Sequence, residues 1–218
     1  MNLPRVTLLC GHYGSGKTQI ALNLAFLLRQ THKRVALVDL DIVNPYFRSN
    51  DHAAALERAG IRLIVSSLAG TNVESPGLNP ECAAMLDDSG LHCVLDVGGD
   101  DRGAYALGRY AKGLNAQAEA LMVINMYRPL TAKASEVLET MRKIEAAGHV
   151  RLTGIVNNSN LGAETRPQDV LDSLPYAEEV SALTGLEVKF TTVRSDLAVT
   201  GIDNLFPIRI YEKEIWRL

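Results

Sequence analysis

The sequence predicts a doubly wound α/β fold: a mostly parallel β-sheet with helices on both faces, in three layers. Two observations carry this. Strand-like apolar runs alternate with helical patterns along the whole chain, and most of those runs are continuous rather than alternating, as in parallel strands covered on both faces. The first apolar run, Val6–Cys10, passes through a glycine-rich turn straight into a helical pattern beginning at Lys17. The later strand candidates are 34–40, 61–66, 92–97, 120–125, 152–157 and 187–191. The helical patterns are 17–30, 51–59, 80–88, 104–114, 131–147 and 168–184. With 218 residues, 47% of them hydrophobic, the chain can bury the core of one such domain, expected to span 1–218.

The rest of the composition narrows the function classes. A net charge of −3 argues against a non-specific nucleic-acid binder. The three cysteines, Cys10, Cys82 and Cys93, form no C-x-x-C pair and read as buried thiols of a reduced, cytoplasmic protein. No signal peptide and no apolar run of spanning length is evident, so membrane insertion is not expected.

In a parallel sheet of this kind ligands bind at the carboxyl ends of the strands, so the loops there hold the candidate site. After the first strand comes Gly11-His12-Tyr13-Gly14-Ser15-Gly16-Lys17-Thr18, a G-x-x-x-x-G-K-T run between strand and helix. This is the context of a phosphate-binding P-loop. Its glycines turn backbone N–H groups around an anion, and the helix N-terminus adds its positive end. Gly11, Gly14, Ser15, Gly16, Lys17, Thr18 and Gln19 are the candidate nucleotide-binding residues. Lys17 is aimed at the β- and γ-phosphates, and the Thr18 hydroxyl at Mg²⁺.

The second strand ends in Val38-Asp39-Leu40-Asp41. Side chains two apart on a strand share a face. Asp39 is therefore a candidate beside the metal, and Asp41 a candidate to orient an attacking water; solvated loop acids are the alternative. Asn44-Pro45-Tyr46-Phe47-Arg48 follows, with two aromatics that would either meet a partner or pack back on the domain.

The fourth strand ends in Asp96-Val97-Gly98-Gly99-Asp100-Asp101-Arg102-Gly103. An acid closing an apolar strand has the form of a Walker B motif, with Asp96 holding Mg²⁺ through a water. Gly99, three residues on, would offer its N–H to a γ-phosphate. After the sixth strand stands Asn157-Asn158-Ser159-Asn160, where guanine-specific proteins carry N-K-x-D. An amide at 160 supplies one acceptor where a carboxylate supplies two, which disfavours guanine. Asn157 would pair with the N6 and N7 edge of adenine; turn formation is the alternative for Asn158 and Asn160.

These residues together resemble the MinD/ParA/CobQ-like nucleotide-binding family, of the same P-loop class as nitrogenase iron protein. The resemblance implies binding of ATP with Mg²⁺, slow hydrolysis to ADP and, in many members, an ATP-dependent sandwich dimer. It makes Lys17 and Asp41 the catalytic candidates and Thr18, Asp39 and Asp96 the metal candidates. MinD- and ParA-type members carry an extra lysine after the first P-loop glycine, where this chain has His12. No suitably placed cysteine follows Asp96 to hold an iron–sulfur cluster.

The leading functional expectation is an ATP-dependent switch meeting a homodimer mate or another protein through residues 44–48 and 99–103. The alternatives are an ATP-dependent transferase or ligase like dethiobiotin synthetase, with substrate loops at 72–80 and 100–102, a GTP-binding switch, and a nucleotide module that no longer hydrolyses. At the C-terminus, Ile208, Tyr211, Ile215 and Leu218 fall on one face of a predicted helix expected to cover the core.

Overall fold

Every residue of β1 (Val6–Cys10) is buried, because this apolar run lies at the centre of an eight-stranded, all-parallel sheet. A computed structural model describes residues 3–40, 52–65, 80–99, 101–105 and 107–211, with the backbone alone at 80, 81, 101 and 102. The elements that follow β1 are α1 (Lys17–Thr31), β2 (Val35–Leu40), α2 (Ala53–Arg58), β3 (Ile61–Val65), α3 (Pro80–Asp87), β4 (His92–Val97) and α4 (Asp101–Tyr105). Then come α5 (Ala111–Gln117), β5 (Ala118–Ile124), α6 (Ala134–Gly148), β6 (Gly154–Asn157), α7 (Pro167–Asp172), α8 (Leu174–Thr184), β7 (Val188–Arg194) and β8 (Leu205–Ile208).

The strand order is β3-β2-β4-β1-β5-β6-β7-β8. The chain builds outward on one side of β1 and then crosses it to build the other side, so a topological switch point lies beside β1. Strand parity divides the core in two. Leu8, Val38 and Leu95 enter one cluster with Met85, Leu114, Val137 and Val180 of the helices on that face. Leu9, Leu37, Val94 and Val123 enter the other, with Ile20, Leu24 and Leu28 of α1 and Leu56 of α2. All three cysteines are buried thiols.

Several element boundaries differ from the expectation. The helix expected over 104–114 is divided into α4, a short 3₁₀ turn at Gly108–Tyr110 and α5; Gly103, Gly108 and Gly113 weaken a continuous helix. The helix expected over 168–184 breaks between α7 and α8 at Ser173, and Pro175 sits in the first turn of α8. Strand β8 is an additional element. It is only four residues long and contains Pro207, a residue that weakens a strand reading and is tolerated at a sheet edge, where β8 lies. Consequently Ile208 belongs to a strand and not to a terminal helix, and Arg209–Tyr211 leave it outside any helix. Residues 212–218 lie outside the described residues, as do Asp41, residues 44–48, residues 66–79 and Asp100.

Candidate nucleotide-binding site

The P-loop conformation requires its glycines. Gly11, Gly14 and Gly16 have φ of 144°, 78° and 91°, in the region that side chains rarely adopt. A Cβ on Gly11 would lie 2.4 Å from the Val123 carbonyl oxygen, and one on Gly16 would lie 2.2 Å from Asn158 Nδ2. The loop folds around its own polar groups: Ser15 N–H donates to His12 O at 3.2 Å, and Lys17 Nζ donates to the same oxygen at 3.1 Å. The His12 side chain turns back on the loop, with Nδ1–H donating to Tyr13 O.

These residues fit a phosphate. Helix α1 opens at Gly16 with no side chain capping it, so its first N–H groups remain for an anion. Ser15 Oγ is buried and no described residue hydrogen-bonds it. Lys17 itself is only 6% exposed.

The acids meet this loop through sheet register. Asp39 pairs with Asp96 across β2 and β4, and Asp96 pairs with Leu9 across β1. Asp39 shares parity with Leu37, and Asp96 with Val94, so both carboxylates leave the sheet on the α1 face. Both are buried, at 2% and 1% exposure. Lys17 and Asp96 are close enough to be felt at one neighbouring thiol. Burial pushes Cys10 up to about 12, while the Lys17 charge pulls it down and Asp96 pushes it further up. Two carboxylates and the Thr18 hydroxyl are hard oxygen donors, suited to Mg²⁺ that also takes phosphate oxygens. Among the described residues no group of three or more His, Cys, Asp or Glu would hold a metal without such help.

The turn after β4 leans on the P-loop. A Cβ on Gly99 would lie 2.6 Å from both the Cα and the N of Tyr13, and one on Gly103 would lie 2.5 Å from the Cα of Gly98. Glycine at 99 therefore permits backbone contact with the phosphate loop.

Beside the P-loop opens a cleft of about 210 Å³, walled by Gly14, Gly16, Gln19, Asn158, Asn160, Thr192 and Ile210, among others. It has room for a ring system rather than a whole nucleotide. The asparagines expected at this position are committed within the protein. Asn157, fully buried, donates to Ser173 Oγ at 2.9 Å and accepts at Oδ1 from the Ser159 N–H and hydroxyl. Both ends of that amide are spent, and Asn157 is not among the cleft-lining residues, so the expected pairing with an adenine edge does not fit this arrangement. Asn160 makes a turn, donating to Asn158 O and accepting from Gly162 N–H.

Asn158 has a role that the sequence motif did not reveal. Its Nδ2 donates to Ser15 O at 2.6 Å, and its Oδ1 accepts from the Thr192 hydroxyl. It ties the P-loop to β7, reaching Ser15 across a sequence separation of 143 residues and Thr192 across 34. Gln19 lines the cleft, and its side-chain amide pairs with the backbone of Tyr211 at both ends. A wider groove of about 740 Å³, lined by Phe26, Arg29, Arg58 and Tyr211 among others, includes no P-loop residue.

The fold matches known structures. The GDP complex of the signal recognition particle 54 kDa protein from Aeropyrum pernix K1 superposes with a TM-score of 0.56 at 21% identity, over 91% of this chain and 42% of that one. Chloroplast FtsY from Physcomitrella patens gives 0.58 at 17% identity, over 98% and 63%. FlhF complexed with GTP and Mg²⁺ gives 0.52 at 16% identity, over 87% and 65%. The chain thus spans less than two thirds of each of these proteins, and at these identities the likeness is one of fold. No curated protein matches at the sequence level. No helix among the described residues is long and apolar enough to cross a membrane. Residues 8–187 match the family described as the CobQ/CobB/MinD/ParA nucleotide binding domain. With its P-loop, its register-paired acids and this match over most of its length, the chain belongs to the CobQ/CobB/MinD/ParA nucleotide-binding domain family.

Proposed function

We propose that the protein binds ATP with Mg²⁺, hydrolyses it slowly and acts as a nucleotide-dependent switch on a partner, either a second copy or another protein. One observation carries this reading: the backbone of Gly99 abuts the P-loop at Tyr13. In this reading a phosphate bound at the P-loop acts on that turn, and α4 begins two residues later. Phosphate occupancy is thereby passed to residues 99–103, which the switch reading makes a partner surface along with 44–48.

In this proposal Lys17 and the α1 N-terminus hold the phosphates, and Thr18, Asp39 and Asp96 hold the metal. Gly99 engages the γ-phosphate, and Asp41 orients water. Bound Mg²⁺ would neutralise developing charge on the phosphates. Adenine is favoured because none of the described residues lining the cleft carries a carboxylate to accept from the guanine N1 and N2 donors.

The test measures ADP release and light-scattering mass for purified protein with Mg·ATP, with and without Asp41→Ala. Slow ADP release with an ATP-dependent change in mass, both lost in the variant, is the expected result. A metabolite extract that raises turnover by orders of magnitude without a change in mass would replace the switch by a small-molecule transferase or ligase. Competition of ATP and GTP against a fluorescent ADP analogue decides the base, and GTP winning would overturn the adenine assignment.

A further inference from the structure

Gln19 and Asn23 stand one turn apart on α1, and each brackets one residue of the chain beyond β8. Gln19 Nε2 donates to Tyr211 O at 2.7 Å while its Oε1 accepts from Tyr211 N–H at 2.8 Å. Asn23 Nδ2 donates to Arg209 O at 2.8 Å while its Oδ1 accepts from Arg209 N–H at 2.8 Å. The two amides thus grip the backbone as a neighbouring strand would, at alternate residues 209 and 211.

Between the two brackets lies Ile210. It lines the cleft beside the P-loop together with Ile208 and Val193, yet it is 48% exposed. A large apolar side chain is therefore held, half in water, on the wall of a cleft that shares Gly14 and Gly16 with the phosphate loop.

We infer that Ile210 is the platform on which the flat face of the nucleotide base lies, and that Gln19 and Asn23 are positioning residues that hold this platform to α1. The inference rests on the nucleotide-binding reading above. Its physical content is that one rigid helix orients both ends of the ligand. The first turn of α1 faces the phosphates, and the same turn and the next fix the segment that covers the base. Covering Ile210 with a purine removes apolar surface from water, which is worth about 1.5 kcal/mol for a side chain of this size, or about tenfold in affinity.

Calorimetric titration with two probes tests this: Mg·ADP, which has a base, and Mg·tripolyphosphate, which has none. Ile210→Ala is expected to weaken ADP about tenfold and to leave tripolyphosphate unchanged. Asn23→Ala is expected to give the same split, with Asn23→Gln giving an intermediate loss, whereas general loosening of the fold would weaken both probes together. An Ile210→Trp variant in a Trp216→Phe background gives a second readout that does not depend on affinity. Its indole emission is expected to change with ADP and to stay constant with tripolyphosphate. Unchanged ADP affinity in Ile210→Ala, parallel loss of both probes, or indole emission of the Ile210→Trp variant that ignores bound ADP would each overturn the platform while leaving nucleotide binding intact. Wild-type protein that binds neither probe would overturn the nucleotide reading itself, and the platform with it.

Discussion

The phosphate end and the cleft end of the candidate site are built by different means. The phosphate end is a contiguous loop whose chemistry is that of its backbone: glycines at positive φ, uncapped N–H groups at the start of α1, and one lysine. The cleft end gathers side chains from the loop after β6, the end of β7 and the chain after β8, and those of Asn158, Asn160 and Thr192 are already paired within the protein. A backbone-built site is specific for a ligand's charge and shape. A site whose amides are internally spent selects by the space and apolar surface it leaves.

Four experiments would break or sharpen that contrast, taken from the largest expected effect. Lys17→Ala removes the charge at the phosphate end and should weaken nucleotide by about 3 kcal/mol, near a hundredfold, in titration with a fluorescent ADP analogue. Intact affinity would end the phosphate-loop reading. Gly16→Ala forces a side chain into a left-handed φ of 91° and against Asn158. It should cost about 2–3 kcal/mol of stability, read as a fall in urea midpoint at constant slope.

Asn158→Ala tests the tie between the two ends. It strands Ser15 O and leaves the Thr192 hydroxyl only its longer bond to Asn157 O at 3.5 Å, and should cost about 1–2 kcal/mol in stability. The loss should not add to that of Thr192→Val, because the two share one network. Additive losses in that double-mutant cycle would separate the P-loop from β7.

The smallest effect is a control outside both ends. His92 begins β4 and stacks on His32 with ring centroids 3.5 Å apart. Burial holds its imidazole below the ordinary value, and His32 and Arg5 lower it further. The unfolded chain therefore takes up this proton first, at about pH 6.5. The stability from neutral His92 is present above that pH and is lost as pH falls through the range below it. His92→Phe should flatten the decline in melting temperature between pH 7 and 5 while leaving nucleotide affinity unchanged at pH 7.5. An equal decline in the variant would locate the pH dependence elsewhere.

Legibility followed the same division. The P-loop and the strand-end positions of Asp39 and Asp96 are readable because strand, turn and helix chemistry act within a few residues, and a carboxylate closing an apolar strand is conspicuous. Asn157, Asn158 and Asn160 were readable as a position and not as roles. Which amide faces the cleft depends on Ser173, Ser15 and Thr192, far away in the chain. Residues 208–211 imitate a helix because the spacing of Ile208 and Tyr211 suits one, whereas Pro207 and Ile208 sit in an edge strand and the Gln19 and Asn23 amides hold the backbone of 209 and 211.

By itself the sequence determined the α/β alternation, the phosphate loop and the two strand-end acids, because each depends on local backbone preference and on burial pattern. Only the tertiary structure decided that Asp39 and Asp96 face α1 side by side, that Asn158 braces the P-loop, and that the chain after β8 walls the cleft. Register, crossover order and the pairing of distant amides are properties of packed elements, and no local run of residues encodes them.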